Sequence, residues 1–237
     1  MTLTDKRFVG NNYKWKEYKV LELGAFIKLS LLFLQTWLCC LGFRWALNHV
    51  LPYVQDAEWF FAVTIICMAL FVLMATFAVV VLKEGFFEKT PGKRRLRLLA
   101  AMLVFSLTIS FFSLETLTIC SPSFFLCLGL ASLVYAILAA FCRPVLSPLA
   151  FYLLYGALFV GICAAAIAIS GRFWEFMIFD VILGGAMVYS LGVTIDGAKD
   201  HVAESPEYEA SRYAGNLSKE LYFNSLSSLG LIVTSIF

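Results

Sequence analysis

Histidine is almost missing from this chain, which has only His49 and His201. A zinc centre of three histidines is excluded by counting, and serine–histidine chemistry is short of its base. The seven cysteines form no CxxC pair and no Cys/His ligand spacing; they lie in or beside apolar runs, where a thiol behaves as a small hydrophobe. The Gly-x-Gly-Asp of intramembrane aspartyl proteases is absent, because Asp180 is followed by Val181 and Ile182. The expectation is a protein that is not an enzyme and carries no cofactor. Neither Met1 nor Phe237 belongs to a lipidation motif, and no retention tetrapeptide occurs. A net charge of +2 gives no reason to expect a nucleic-acid partner.

Charge is the scarcest commodity, at 14% of residues against about 25% in ordinary globular chains. What fills its place is apolar: 61% of the residues are hydrophobic and 16% aromatic. Lipid is the environment that accommodates such a surplus, so the fold class expected is all-α, a polytopic seven-helix transmembrane bundle.

The charges that exist are unevenly placed. Asp5, Lys6, Arg7, Lys14, Lys16, Glu17, Lys19 and Glu22 crowd the first 24 residues, which rules out a cleavable signal peptide with an early apolar core. Residues 1–24 are expected to form a cytosolic tail ahead of one transmembrane domain, residues 25–237. Apolar runs mark spans at 25–48, 59–82, 98–119, 123–141, 149–170, 173–195 and 217–237. The polar stretch 196–216 reads as a loop. The last run is rich in serine and has a membrane-embedded hairpin as its alternative.

Positive residues in short loops mark the cytosolic side. The N-terminal cations, the six Lys or Arg between residues 83 and 97, and Arg143 all fall on one side of a seven-span chain. The N-terminus is therefore expected in the cytosol, the reverse of rhodopsin-type receptors. The same count places the Asn216-Leu217-Ser218 sequon in the cytosol, unused. Lys93 to Arg97 either binds anionic lipid or only fixes topology.

A carboxyl inside a span costs about 2.5–3.5 kcal/mol on insertion scales, so each is a candidate for function. Glu115 lies in the third span, Asp180 in the sixth and Asp196 at its end; Glu220 and Asn224 open the seventh at i and i+4, on one helical face. Asp180 and Asp196 are separated by roughly 24 Å of helix and cannot pair with each other. Each acid has two readings: a hydrogen-bonded group that helps helices pack, or part of a hydrated cation or proton path. Gly161, Ala165, Ala168, Gly184 and Gly185 have spacings that let helices approach closely.

Four segments, in order, resemble a known family. Ala25-Phe26-Ile27-Lys28-Leu29-Ser30 with Leu34-Gln35-Thr36 is similar to an opening of a basic residue, an apolar turn and a Gln-Leu pair. Phe105-Ser106-Leu107-Thr108-Ile109-Ser110 follows a basic loop as that family's third helix does. The run from Met187 to Asp196 resembles the end of its sixth helix, and Leu221-Tyr222-Phe223-Asn224 its last-helix Leu-Tyr-Leu-Asp. The family is that of the transmembrane Bax-inhibitor-motif proteins: the Bax inhibitor, the lifeguard and Golgi anti-apoptotic proteins, and viral relatives.

The resemblance implies a cation leak, above all for calcium from the endoplasmic reticulum or Golgi, that restrains cell death. It implies as partners the lipid bilayer, calcium or other cations, and membrane proteins of the cell-death machinery. In bacterial relatives two aspartates share a gating proton. Asp196 matches the first, and Asn224 stands where the second would be. A neutral amide cannot share a titrating proton, which leaves Glu220, one turn earlier, as the substitute acid. The family's basic latch in its second helix is missing too, since no Lys or Arg occurs between Glu58 and Leu82; such losses suit a fast-evolving, viral member. The ion pathway or gate is expected at Asp196, Asn224, Glu220, Glu115 and Asp180, and the competing expectation is a non-transporting adaptor or decoy.

Overall fold

The computed structural model describes residues 4–9, 12–50, 66, 91–112, 123–141, 145–170, 174–204 and 210–236. They form an all-α structure: a short 3-10 turn at Lys6–Phe8, then α1 (Asn12–Val50), α2 (Pro91–Phe112), α3 (Ser123–Phe141), α4 (Pro148–Ser170), α5 (Trp174–Glu204) and α6 (Ala210–Ile236). Four helical stretches are long and apolar enough to cross a bilayer: Tyr13–Val50, Ser123–Phe141, Pro148–Ile169 and Val181–Glu204. The chain is an integral membrane protein with those four candidate spans. The expected span at 59–82 lies outside the described residues apart from Ile66, as does the end of the third span.

Helix boundaries follow local chemistry. α1 contains no proline over its 39 residues and stops two positions before Pro52, the residue before a proline being driven out of helical geometry. At the start of α4, Ser147 is the N-cap. Its hydroxyl accepts from the Ala150 N–H at 3.4 Å, and Pro148 takes the first helical position, where its missing N–H has no cost. Pro91 opens α2 in the same way, so the basic run Lys93 to Arg97 is helical rather than loop.

Two boundaries depart from the sequence expectation. Residues 12–24 are not a tail: they are the first turns of α1, with Tyr18, Leu21 and Glu22 fully buried. The polar stretch 196–216 is mostly helix as well, because α5 runs on to Glu204 and α6 begins at Ala210. Burial of Ala198, Lys199, Val202 and Ala214 holds these turns despite their polarity, a case of tertiary packing overriding composition. α6 is one continuous helix, not a hairpin. Its serines are accommodated by bonding back into their own helix: Ser225 donates to the Leu221 carbonyl at 2.7 Å and Ser227 to that of Phe223 at 2.9 Å.

α1, α3, α4, α5 and α6 close a ring by packing in that order, with α6 returning to α1; α2 lies against α1. Aromatic side chains fill the ring in two layers. In one, Phe26 meets Tyr135 at 4.5 Å, and Phe151 stacks on Tyr155 at 5.6 Å. In the other, Phe33 meets Tyr222 at 5.5 Å and Phe124 meets Phe159 edge-on at 6.0 Å. Such pairs add about 0.5–1.5 kcal/mol each beyond area burial. Hydroxyls tie the helices together between the rings, as in the buried Thr36–Tyr222 bond at 2.5 Å and Ser132–Tyr155 at 2.7 Å. The outward stripes, such as Leu130, Leu133 and Ile137 on α3, stay exposed and apolar, as a surface facing acyl chains requires.

The two neighbouring glycines of α5 differ. Phe159 of α4 lies so close to Gly184 that an added Cβ would collide with the edge of its ring, and Tyr152 occupies the space at Gly192 in the same manner. Gly185 and Gly161 face open space. Close approach of α4 and α5 therefore rests on Gly184 and Gly192.

Candidate functional site

Charged side chains converge at the end of the bundle where the apolar part of α1 begins. The N-terminal segment reaches it by pairing its backbone with the α3–α4 connector. Asp5 donates its N–H to the Val145 carbonyl at 2.8 Å, and Thr4 bridges Leu146 antiparallel. This places Asp5, only 5% exposed, between two cations. Arg7 donates to both its oxygens, Nε to Oδ1 at 2.9 Å and Nη2 to Oδ2 at 2.7 Å. Lys199 of α5 approaches Oδ2 at 3.7 Å.

Burial acts to raise the Asp5 carboxyl, but the Arg7 hydrogen bonds and the fields of Lys199 and Arg7 outweigh it and hold the group below its ordinary value. The Arg7 guanidinium is pushed the other way, upward, by its bond to Asp5 and by those to Asp196 and Asp200, against the opposing effect of burial. A depressed carboxyl stabilises the fold above the unfolded value of about 3.9 and ceases to do so as pH falls through the folded one. Between pH 8 and 5 the Asp5 link is therefore expected to be pH-independent; proteolysis of the N-terminal segment should accelerate only under more acidic conditions.

Arg7 also holds the acid on which the sequence reading centres. Its Nη2 donates to Asp196 Oδ1, its Nη1 to Asp200 Oδ1 and to the Asp196 carbonyl at 3.3 Å. Asp196 and Asp200 sit at i and i+4 on α5, so one planar fork can serve both. Asp196 remains 41% exposed, whereas Lys199 on the inward face of the same turns is 1% exposed. Lys199 donates to the Leu146 carbonyl at 2.6 Å. Lys14 adds a further tie from α1 to the Ala203 carbonyl near the end of α5, where cations meet the helix dipole favourably.

Beside this group lies Glu22 of α1, also 1% exposed. It accepts from the Tyr135 hydroxyl at 2.8 Å and from Lys19 at 3.3 Å, and Lys19 donates on to the Ala139 carbonyl at 3.2 Å. Tyr18, one turn earlier, is wholly buried, and its hydroxyl has no hydrogen-bond partner among the described residues. Among the described residues no three His, Cys, Asp or Glu side chains come together to hold a metal; the carboxylates here converge on cationic side chains instead.

No family model, curated protein or solved structure matches this chain.

The other expected gate residues are distributed as follows. Asn224 donates to the Thr194 hydroxyl at 2.8 Å, tying α6 to α5. Glu220 is half-buried near His201, and His201 stacks on Tyr213 at 5.5 Å. Neither is a partner of Asp196, which is engaged by Arg7. Asp180 lies on α5 more than four turns before Asp196, with its side chain outside the described set, and Glu115 lies outside the described residues altogether. The groups the sequence reading missed are Asp5, Arg7, Glu22 and Lys199. A signal for Glu22 was available: Tyr18, Leu21, Glu22, Ala25, Phe26 and Leu29 recur at helical spacing on one inward face.

Proposed function

We propose that this protein is a seven-span cation pathway of an intracellular membrane, of the Bax-inhibitor-motif kind, which passes calcium or other cations from a Golgi or endoplasmic-reticulum store and thereby restrains cell death. The observation that carries the reading is the clamp of Arg7 on Asp196 and Asp200. Acids at the end of a membrane helix offset part of the dehydration cost of an arriving cation. While the guanidinium holds both, its charge cancels much of their field. Release of the clamp leaves that end of α5 negative and attractive to cations. The remaining spans in this reading are residues 59–82, α2 and α6, with the N-terminus in the cytosol.

In vesicles loaded with a calcium-sensitive dye, Arg7→Gln is expected to raise cation leak roughly tenfold, equivalent to about 1.4 kcal/mol of barrier. Adding Asp196→Asn should bring the leak back down. Leaks that stay at the wild-type level in both variants, with normal expression, would reject Asp196 as a gate residue. The aromatic filling of the ring favours a second reading, a non-transporting adaptor or decoy that holds partner membrane proteins of the cell-death machinery. Under it, reconstituted protein passes no ions with or without Arg7.

A further inference from the structure

A lysine head group 1% exposed inside a membrane bundle is costly unless its surroundings are built for a cation. Around the Lys199 ammonium those surroundings are specific. The Leu146 carbonyl accepts from it at 2.6 Å, Asp5 Oδ2 lies at 3.7 Å, and the Tyr18 ring presents its face at 5.8 Å. Glu22 and Asp196 add negative field. The carbonyl comes from a connector pinned by the N-terminal segment, Asp5 from that segment, Tyr18 and Glu22 from α1. Three separate pieces of chain thus supply oxygen or π density around one point. The Tyr18 hydroxyl is fully buried beside Glu22, with no hydrogen bond of normal geometry among the described residues.

We propose that this is a binding site for a small monovalent cation, occupied in the native chain by the tethered ammonium of Lys199. Lys199 is then an internal competitor: a free cation of ammonium or potassium size can enter only when the lysine head is removed or withdrawn. Its consequence for leak rests on the reading above, but the site itself does not, and it is tested without any flux measurement.

Lys199→Met preserves the stem of the side chain and removes only the charged head. Thermal unfolding of the purified full chain in detergent is compared in ammonium, potassium and choline chloride at equal ionic strength. Choline is too large for a space vacated by one ammonium. The variant is expected to gain on the order of 3–6 °C in Tm in ammonium or potassium at about ten times Kd, relative to choline. The wild-type chain should not distinguish the three salts. Adding Glu22→Gln to the variant should shrink the gain. A variant equally stable in all three salts would overturn the proposal, as would a wild-type chain with the same preference.

Should Lys199→Met fail to fold, Lys199→Ala is produced with propylammonium or with propanol, which fill the missing stem with and without the charge. Recovery with propylammonium alone supports the site. Equal recovery with both, or none with either, overturns it. A salt-blind variant with an intact Arg7-dependent leak would sink the site and leave the pathway standing; the converse pattern would do the reverse.

Discussion

Asp5→Leu is expected to destabilise the full chain by about 3–5 kcal/mol, the loss seen when one partner of a buried ion pair is removed. Asp5 is the only carboxylate within ion-pair distance of Lys199 among the described residues, and the Lys199 side chain is buried. The substitution also takes away the bidentate partner of Arg7. The Asp5 backbone bond to Val145 is untouched, so the loss reports the charge rather than the strand pairing. The decisive control is Asp5→Leu with Lys199→Met. Replacing both members of a buried pair by apolar groups is often close to neutral, so the double variant should regain most of the loss. Reversible unfolding in mixed micelles measures the cycle. Additive losses would mean that the two charges do not stabilise each other.

Gly184→Leu should cost about 1–3 kcal/mol or prevent folding, whereas Gly185→Leu should change stability by less than about 0.5 kcal/mol. The residues are adjacent in one helix and share the same backbone preference, in which leucine exceeds glycine. Only their neighbours differ. The ring that Gly184 admits belongs to Phe159, 1% exposed and packed edge-on against Phe124, so it cannot swing aside without disturbing the second aromatic layer. Gly185 faces open space. Equal effects at the two positions would contradict the packing of α4 on α5. The sequence presents them as an equivalent pair of small residues; only their rotation about the helix axis separates them.

Apolar runs bounded by proline were legible. The run 123–141 is α3 to the residue, and 149–170 differs from α4 by one position, because lipid-length hydrophobicity and Pro122, Pro144 and Pro148 mark the same ends. The charged turns were not legible. Lys14, Lys19, Glu22 and Lys199 look like solvated ends of spans, and hydropathy alone discards them. What keeps these turns helical, with Glu22 and Lys199 buried, is chiefly bonding between segments far apart in the chain, which no local pattern records. Asp196 shows the division within one residue. Its place where the apolar run of the sixth span gives out was readable, although the helix continues for about two more turns, and its partner Arg7 lies 189 residues away. Asn224 and Asp196 were expected to face each other across α5 and α6. Two residues along a helix turn a side chain by about 200°, which is why Asn224 can reach Thr194 while Asp196 points to the N-terminal segment.

The strap formed by Thr4, Asp5 and Arg7 precedes in the chain what it fastens to, residues 145–146 and 196–200, which are synthesised far later. At about 5–20 residues per second, the 189 residues between Arg7 and Asp196 take roughly 10–40 s to make. Throughout that interval Arg7 has Asp5 but neither Asp196 nor Asp200, and Asp5 lacks Lys199. Closure of the strap is consequently a late event in biogenesis, because it waits for the synthesis of α5.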